Sequence, residues 1–158
     1  MWWRLKRSDF AERTGQKNKR AMRRIIDSGH VPGLLAYADG NPAGWCSVSP
    51  RETYPALERS RTLKRIDDEP VWSVVCFFVG KPFRSKGLMS SLLEAAVRYA
   101  KEHGAKIIEG YPVEPKERRM SGSEGFTGLI PVFTRAGFAE ALRRSPNRPI
   151  MRYFVSKE

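Results

Sequence analysis

The fold of this chain is decided by residues 71–90, which read VWSVVCFFVGKPFRSKGLMS. Residues 71–79 form a near-continuous apolar run rich in Val and Phe, which is typical of a strand covered on both faces. The run ends at Gly80, and a basic turn, Arg84 to Lys86, then precedes Gly87. The stretch therefore predicts a buried strand, a turn and the start of a helix.

The helix predicted after this turn extends from Gly87 to Gly104. Its apolar residues recur at helical spacing on one face, and Glu94 and Arg98 are placed to pair four residues apart. Gly104 is a typical helix end. Residues 106–113 read as the next strand, so the three elements form a βαβ unit, for which a right-handed crossover and parallel pairing are expected.

The remaining segments predict further elements on both sides of this unit. Before it come a helical segment at 8–28 that Gly15 can divide, a hairpin at 33–49, and a long connection at 50–70 with a short helix near 56–64. After it come a polar loop at 114–125, a short helix at 127–136, and strands at 139–144 and 150–155. The expected class is α+β: one domain over residues 1–158, with a twisted, mixed central sheet flanked by helices.

Length and composition limit the classes of protein to which the chain can belong. Its 158 residues, 41% of them hydrophobic, suit one globular domain. The longest apolar run is about half of a bilayer span, and no signal peptide or disulfide framework is visible, so we expect a cytoplasmic protein with no membrane contact. The net charge of +12 favours an anionic partner, which could be nucleic acid, a phosphorylated cofactor or an acidic surface.

The turn before the long helix has the chemistry of an anion site. A helix N-terminus presents unpaired N–H groups and a partial positive charge. Gly87 lets the backbone approach a ligand closely, and Arg84 and Lys86 add formal charge, which together suit a diphosphate. The glycine spacing is neither that of a P-loop nor that of a dinucleotide fingerprint. The structural alternative is a basic turn in which Gly87 only packs.

Residues 77–89, FFVGKPFRSKGLM, resemble the acyl-CoA-binding motif of the GNAT superfamily of N-acetyltransferases. That motif is an apolar strand, then Arg or Gln, two residues, Gly, one residue, and Gly or Ala at a helix start. Arg84 and Gly87 match it, while Met89 takes the last small position. The order of the other elements is also similar, and residues 135–138, RAGF, resemble the usual close of the family's late helix.

The resemblance implies an acetyltransferase with acetyl-CoA as co-substrate and an amine, on a small molecule or a protein, as acceptor. Backbone N–H groups at the start of the helix would hold the CoA diphosphate, and the main chain of Phe77 and Val79 would run beside the pantetheine arm and polarise the thioester carbonyl. The amine would attack the thioester directly in a ternary complex. A homodimer is one expectation for the assembly, and no metal site is predicted. The implied cofactor-binding residues are Phe77, Val79, Arg84, Ser85, Lys86, Gly87, Leu88, Met89 and Ser90.

Two departures from the family concern proton transfer. Phe133 stands where many members have a tyrosine, and Ser73 where a carboxylate base is common. Glu109 and Tyr111 lie two apart on one strand, hence on one face, and are predicted as the catalytic base and the thiolate acid. Their alternative roles are an ordinary salt bridge and aromatic core. Tyr54 is a further candidate acid.

Three functions stay open at this stage. The first is an N-acetyltransferase, and the second is a catalytically silent acyl-CoA-binding module. The third, a nucleic-acid-binding domain, rests only on the charge and lacks a recognisable motif.

Two groups of side chains have both a functional and a structural interpretation. A basic face on the N-terminal helix either recognises an anionic acceptor or is simply solvated; its members are Lys17, Lys19, Arg20, Arg23 and Arg24. An aromatic set either walls an acceptor pocket or belongs to the core; its members are Trp2, Trp3, Tyr37 and Trp45. The two cysteines, Cys46 and Cys76, are expected to pack rather than to accept an acyl group.

Overall fold

The buried strand and the long helix predicted from residues 71–104 both form. In the computed structural model, which describes residues 1–12, 15–114 and 125–156, the strand is β3 and the helix α4. The strands are β1 Leu34–Ala38, β2 Asn41–Pro50, β3 Trp72–Val79, β4 Ile107–Gly110, β5 Ala139–Leu142 and β6 Ile150–Phe154. The helices are α1 Arg7–Glu12, α2 Gln16–Asp27, α3 Pro55–Glu58, α4 Leu88–Glu102 and α5 Ile130–Arg135, with short 3-10 turns at Arg51–Thr53 and Lys81–Phe83.

The six strands form one mixed sheet in the order β1-β2-β3-β4-β6-β5. Strands β3 and β4 are parallel, as the βαβ prediction requires, and the other neighbours are antiparallel. The fold class, α+β with a mixed sheet and flanking helices, is therefore confirmed. Among the described residues, no helix has the length and apolar character needed to cross a membrane.

Several elements are shorter than the sequence predicts. Strand β4 ends at Gly110 rather than at residue 113, and Pro112 follows, which has no N–H to continue a ladder. Helix α3 has only four residues, and α5 begins at Ile130. Most of the predicted loop at 114–125 lies outside the described residues.

Two apolar clusters cover the two faces of the sheet. Val74 packs in the cluster that includes α4, and Val75 in a cluster with Trp3 and Leu57. Successive strand residues point to opposite faces, so this central strand is buried on both sides.

The parallel pair β3–β4 divides the sheet into two halves at a short seam. Only Trp72–Val74 of β3 pairs with Ile108–Gly110 of β4. Beyond the seam the strands separate, and a segment before α5 lies between them. In that segment the Phe126 carbonyl accepts a 2.6 Å hydrogen bond from the Phe77 N–H. The remaining edge of β3 is open toward the start of α4.

Candidate functional site

A groove of about 500 Å³ lies between the end of β3, the basic turn and the start of α4. Eight of the nine predicted cofactor-binding residues line it: Phe77, Val79, Arg84, Ser85, Gly87, Leu88, Met89 and Ser90. The ninth, Lys86, is exposed and is not part of the lining. The strand-turn-helix stretch therefore folds into a single concave surface.

The start of α4 presents free backbone donors to this groove. Gly87 adopts a left-handed conformation, φ 78°, and no side chain caps the helix. The first helical hydrogen bond runs from the Ser91 N–H to the Gly87 carbonyl at 3.2 Å. The N–H groups of the three residues between them have no partner within the helix. This end of the helix can therefore bind an anion.

The free edge of β3 presents a second set of donors. The Gly80 N–H donates to the Ala43 carbonyl on the β2 side at 2.9 Å. Because N–H groups alternate between the two edges of a strand, those of Phe77 and Val79 point away from β2. The Phe77 N–H is taken by Phe126, so a ligand that pairs with this edge has to displace that bond.

Two guanidinium groups add positive charge to the groove. Arg84 follows the 3-10 turn, and its Nε donates to the Val79 carbonyl at 3.1 Å. Arg135 lines the groove from the last turn of α5. Sequence reasoning missed Arg135 as a site residue, because only the packing of α5 against α4 brings it to the turn. Ser85, beside Arg84, has a φ of 60°, a conformation uncommon for a residue other than glycine.

Glu109 and Tyr111 lie together, as their spacing predicts, but they do not line the groove. Their side chains are 1% and 0% exposed. The Tyr111 hydroxyl donates to Glu109 Oε2 at 2.9 Å and lies 2.7 Å from Ser73 Oγ. Burial raises the pKa of Tyr111 well above its ordinary value, and the neighbouring Glu109 raises it further.

Two arginines that sequence reasoning missed occupy both oxygens of Glu109. Arg51 Nη1 lies 3.1 Å from Oε2, and Arg152 Nε lies 2.8 Å from Oε1. Each has a second acidic partner: Arg51 Nε bonds Glu58 at 2.8 Å, and Arg152 bonds Asp67 at 2.6 and 2.8 Å. The hydrogen bond from Arg152 holds the pKa of Asp67 below its ordinary value.

These hydrogen-bonded side chains join residues from both halves of the sheet at the β3–β4 pair, and we call them the seam network. Its members are Arg51, Glu58, Asp67, Ser73, Glu109, Tyr111 and Arg152. Arg51 follows β2, whereas Glu109 lies on β4, and the register places Ser73 of β3 opposite Glu109. A carboxylate that is buried and bonded on both oxygens is suited to holding the strands. The catalytic role of Glu109 and Tyr111 stays a prediction.

The other candidates for proton transfer are also buried in packing or hydrogen bonds. The Phe133 ring is 0% exposed and lies edge-on to Phe77, with ring centroids 6.1 Å apart. The Tyr54 hydroxyl lies 3.0 Å from Ser47 Oγ, and burial raises its pKa. Cys46 is fully buried, and burial raises the pKa of its thiol.

Among the residues that the structure describes, acidic, histidine, tyrosine and cysteine side chains do not line the groove. Within the part of the chain that the structure describes, its lining includes no Asp, Glu, His, Tyr or Cys. The same described residues hold no group of three or more His, Cys, Asp or Glu placed to bind a metal ion. The described part of the lining offers backbone donors and guanidinium groups, which can bind an anion and polarise a carbonyl.

The predicted aromatic set divides between two places. Trp2 and Trp3 line a second cavity, between the N-terminal segment and α3. Tyr37 lies on the outer strand β1, where it is 61% exposed, and Trp45 lies on β2. The basic face of α2 is solvent-exposed.

Comparison with known proteins adds a family and a set of similar folds. The sequence profile described as "Acetyltransferase (GNAT) family" matches residues 2–120, more than half of the chain. Comparison with curated protein sequences gives no match.

Solved structures with a similar fold come from several organisms. A ribosomal-protein-alanine N-acetyltransferase from Brucella melitensis superposes with a TM-score of 0.56 and 15% identity over 89% of this chain and 78% of that one. An N-acetyltransferase from Staphylococcus aureus Mu50 gives 0.55 and 16% over 90% and 78%. Ard1 from Thermoplasma volcanium gives 0.54 and 16% over 98% and 89%. At these identities the likeness concerns the fold.

Proposed function

This chain belongs to the acetyltransferase (GNAT) family, and we propose that it transfers an acetyl group from acetyl-CoA to an amine by direct attack in a ternary complex. Membership of this family makes the chain an acyltransferase. We further propose its substrates, a single functional domain over residues 1–158 and a cytoplasmic location. The free thiols of Cys46 and Cys76 suit a reducing compartment.

The observation that carries the proposal is the meeting of two sets of backbone donors in one groove. The uncapped start of α4 offers N–H groups to a diphosphate, and the edge of β3 beyond Val74 has lost its β4 neighbour. An elongated ligand with an anionic end and amide groups along its arm matches both surfaces. Acetyl-CoA has this form, and its thioester carries the acetyl group.

The chain's own contribution in this proposal is positioning and polarisation. Arg84, Ser85 and the start of α4 hold the diphosphate, while the Val79 and Phe77 N–H groups face the arm and the carbonyl to be attacked. The Phe77 N–H becomes available once its bond to Phe126 opens. The neutral acceptor amine bonds to the carbonyl carbon, the carbon–sulfur bond breaks, and CoA leaves as a thiolate. The proton that the nitrogen loses passes to solvent water or to this thiolate.

The roles proposed for Glu109 and Tyr111 differ from the acid and base roles that their spacing predicted. Both are buried outside the groove lining. We propose that they position β4 and hold the seam, and that neither touches the acceptor. This assignment separates the binding surface from the residues that keep its two strands at the right spacing.

Calorimetric titration with acetyl-CoA tests the binding part. The wild-type chain should bind, and Gly87→Glu should not, because a carboxylate then lies among the donors meant for the diphosphate. Gly104→Glu is the matched control: Gly104 is also left-handed, with φ 85° against 78° for Gly87, and a Cβ at either position meets no atom within 4 Å. Equal loss in both variants would mean that backbone strain, and not the groove, is being measured.

Release of CoA thiol with a panel of amines tests the chemistry. Release that depends on the amine supports the transferase. Binding of acetyl-CoA without release for any amine favours the silent module. Retention on nucleic acid without acetyl-CoA binding would instead favour a nucleic-acid-binding domain.

A further inference from the structure

A second cavity, which we call the arginine pocket, lies between the N-terminal segment and α3. It measures about 390 Å³, and its walls include Trp2, Trp3, Arg7, Arg59 and Arg148. None of its described lining residues is acidic. Pockets of this volume hold small molecules, and a compact anionic ligand would match the positive charge of its lining.

The three arginines of the arginine pocket form no ion pair among the described residues, as is true of most described arginines. Arg51, Arg65, Arg143 and Arg152 all pair with carboxylates. Among the described residues, no carboxylate oxygen lies within 4.0 Å of the side chains of Arg7, Arg59 and Arg148.

Most of the donors in the arginine pocket are not used by the protein itself. Arg59 spends one donor on the Leu5 carbonyl at 2.9 Å. The side chain of Arg148 makes no hydrogen bond to the described part of the chain, although it is half-buried. Burial lowers the pKa of Arg148, which indicates a cation that has lost hydration without gaining a partner. A bound anion would compensate for that loss.

Two stacked aromatic rings lie between the arginine pocket and the groove. The Trp3 ring, in the pocket wall, stacks on the Phe126 ring with centroids 6.3 Å apart. Phe126 lines the groove on its other side, where its carbonyl bonds the Phe77 N–H. The Trp3 indole N–H is buried with no acceptor among the described residues. An occupant of the pocket therefore lies next to the segment that covers the edge of β3.

We propose that the arginine pocket binds the anionic end of the acceptor, which is a small amine carrying a carboxylate or a phosphate; this rests on the proposed function. Arginine binds either anion through paired donors, and the indole rings of Trp2 and Trp3 pack against the acceptor's apolar body.

Quenching of tryptophan fluorescence tests the pocket without acetyl-CoA, because two tryptophans form its wall. The probes are matched pairs: α-amino acids such as L-leucine beside their amides, and O-phosphoethanolamine beside ethanolamine. We expect one anionic series to bind at least about tenfold more tightly than its neutral partners, the effect of one hydrogen bond to a charged group. The series that binds identifies carboxylate or phosphate as the anion.

Two variants locate the binding. Arg148→Gln should weaken the anionic probe by about tenfold or more and leave the neutral probe unchanged. Arg23→Gln, on the exposed face of α2, should change neither. Because both are exchanges on connections or exposed surface, their thermal midpoints should equal that of the wild type, and Arg59→Gln provides a second test if Arg148→Gln does not fold.

The results separate this inference from the proposed function. If Arg148→Gln abolishes anion binding but no amine causes thiol release, the arginine pocket stands as an anion site and the proposed transferase activity is refuted. If thiol release is equal for charged and neutral amines, the transferase activity is supported and the proposed role of the arginine pocket in binding the acceptor is refuted. Loss of binding in Arg23→Gln alone, or no binding of any anionic probe, would also overturn it.

Discussion

Replacing Glu109 by Gln tests whether this residue holds the sheet together or acts as a base. The substitution keeps the size of the side chain and removes its charge. Arg51 and Arg152 remain, with side chains only 1% and 7% exposed. If the amide oxygen of Gln takes the place of Oε2, it accepts from Tyr111 and Arg51, and the amide NH2 then faces the Arg152 donor. The change therefore removes one buried negative charge and one hydrogen-bond acceptor between two buried arginines.

The loss of unfolding free energy depends on the acidic partners that Arg51 and Arg152 keep in the variant. Removing one member of a buried ion pair costs about 3–5 kcal/mol of unfolding free energy. Because Arg51 keeps Glu58 and Arg152 keeps Asp67, we expect the lower end, about 3 kcal/mol. For a domain of this size each kcal/mol moves the thermal midpoint by about 2–4 °C, so the midpoint should fall by about 6–12 °C.

The assay combines thermal unfolding by circular dichroism with turnover measured well below the midpoint of the variant. Glu140→Gln is the matched control: its carboxylate also binds an arginine, Arg143, at 2.7 and 3.0 Å, but on the exposed surface. It should not move the midpoint measurably. For Glu109→Gln we expect the lower midpoint with a pH–rate profile of unchanged shape.

One result would refute this reasoning. An unchanged midpoint in Glu109→Gln, together with loss of turnover and of the acidic limb of the pH–rate profile, would make Glu109 the base that its spacing suggested. A lower midpoint with normal turnover in the folded fraction would leave it a structural role.

Two further predictions concern backbone and thiol chemistry. In amide NMR spectra, acetyl-CoA should shift the Phe77 resonance strongly, because the ligand displaces the Phe126 carbonyl. The Phe78 amide points toward β2, so its resonance should shift little. An unchanged Phe77 resonance together with shifted resonances at the start of α4 would exclude this pairing. In a thiol titration of the folded chain, at most Cys76 should react, and slowly at pH 8, because burial raises the pKa of both cysteines and so lowers the thiolate fraction there. The rate should rise with pH, and fast reaction of Cys46 in the folded chain would contradict its burial.

The predictable part of this structure is the part coded by neighbouring residues. The apolar run, the turn and the periodic apolar face of α4 lie within one stretch, so their signals reinforce each other without knowledge of the rest. The spacing of Glu109 and Tyr111 predicted one shared face, and the two side chains do meet. The register of the strands, which sequence alone does not give, determines which other side chains Glu109 and Tyr111 contact.

The seam network could not be predicted because its members are distant in sequence. Arg51 and Glu109 are 58 positions apart, and Glu109 and Arg152 are 43 apart. Nothing in the local pattern of these residues distinguishes them from surface charges. Arg148 has the same limitation: only the folded chain shows that it enters a cavity with two tryptophans.

The shortness of the seam gives a physical reason for burying charge beside it. Strands β3 and β4 share three register positions, Trp72–Val74 with Ile108–Gly110, before they separate. The separation is what exposes the N–H groups of β3, so a longer ladder would strengthen the sheet and remove the binding edge. Hydrogen bonds from Arg51 to Glu109 and between Ser73 and Tyr111 cross the same junction through side chains. They hold the two halves together without occupying the open edge, and this is the structural role that the Glu109→Gln experiment tests against a role as proton acceptor.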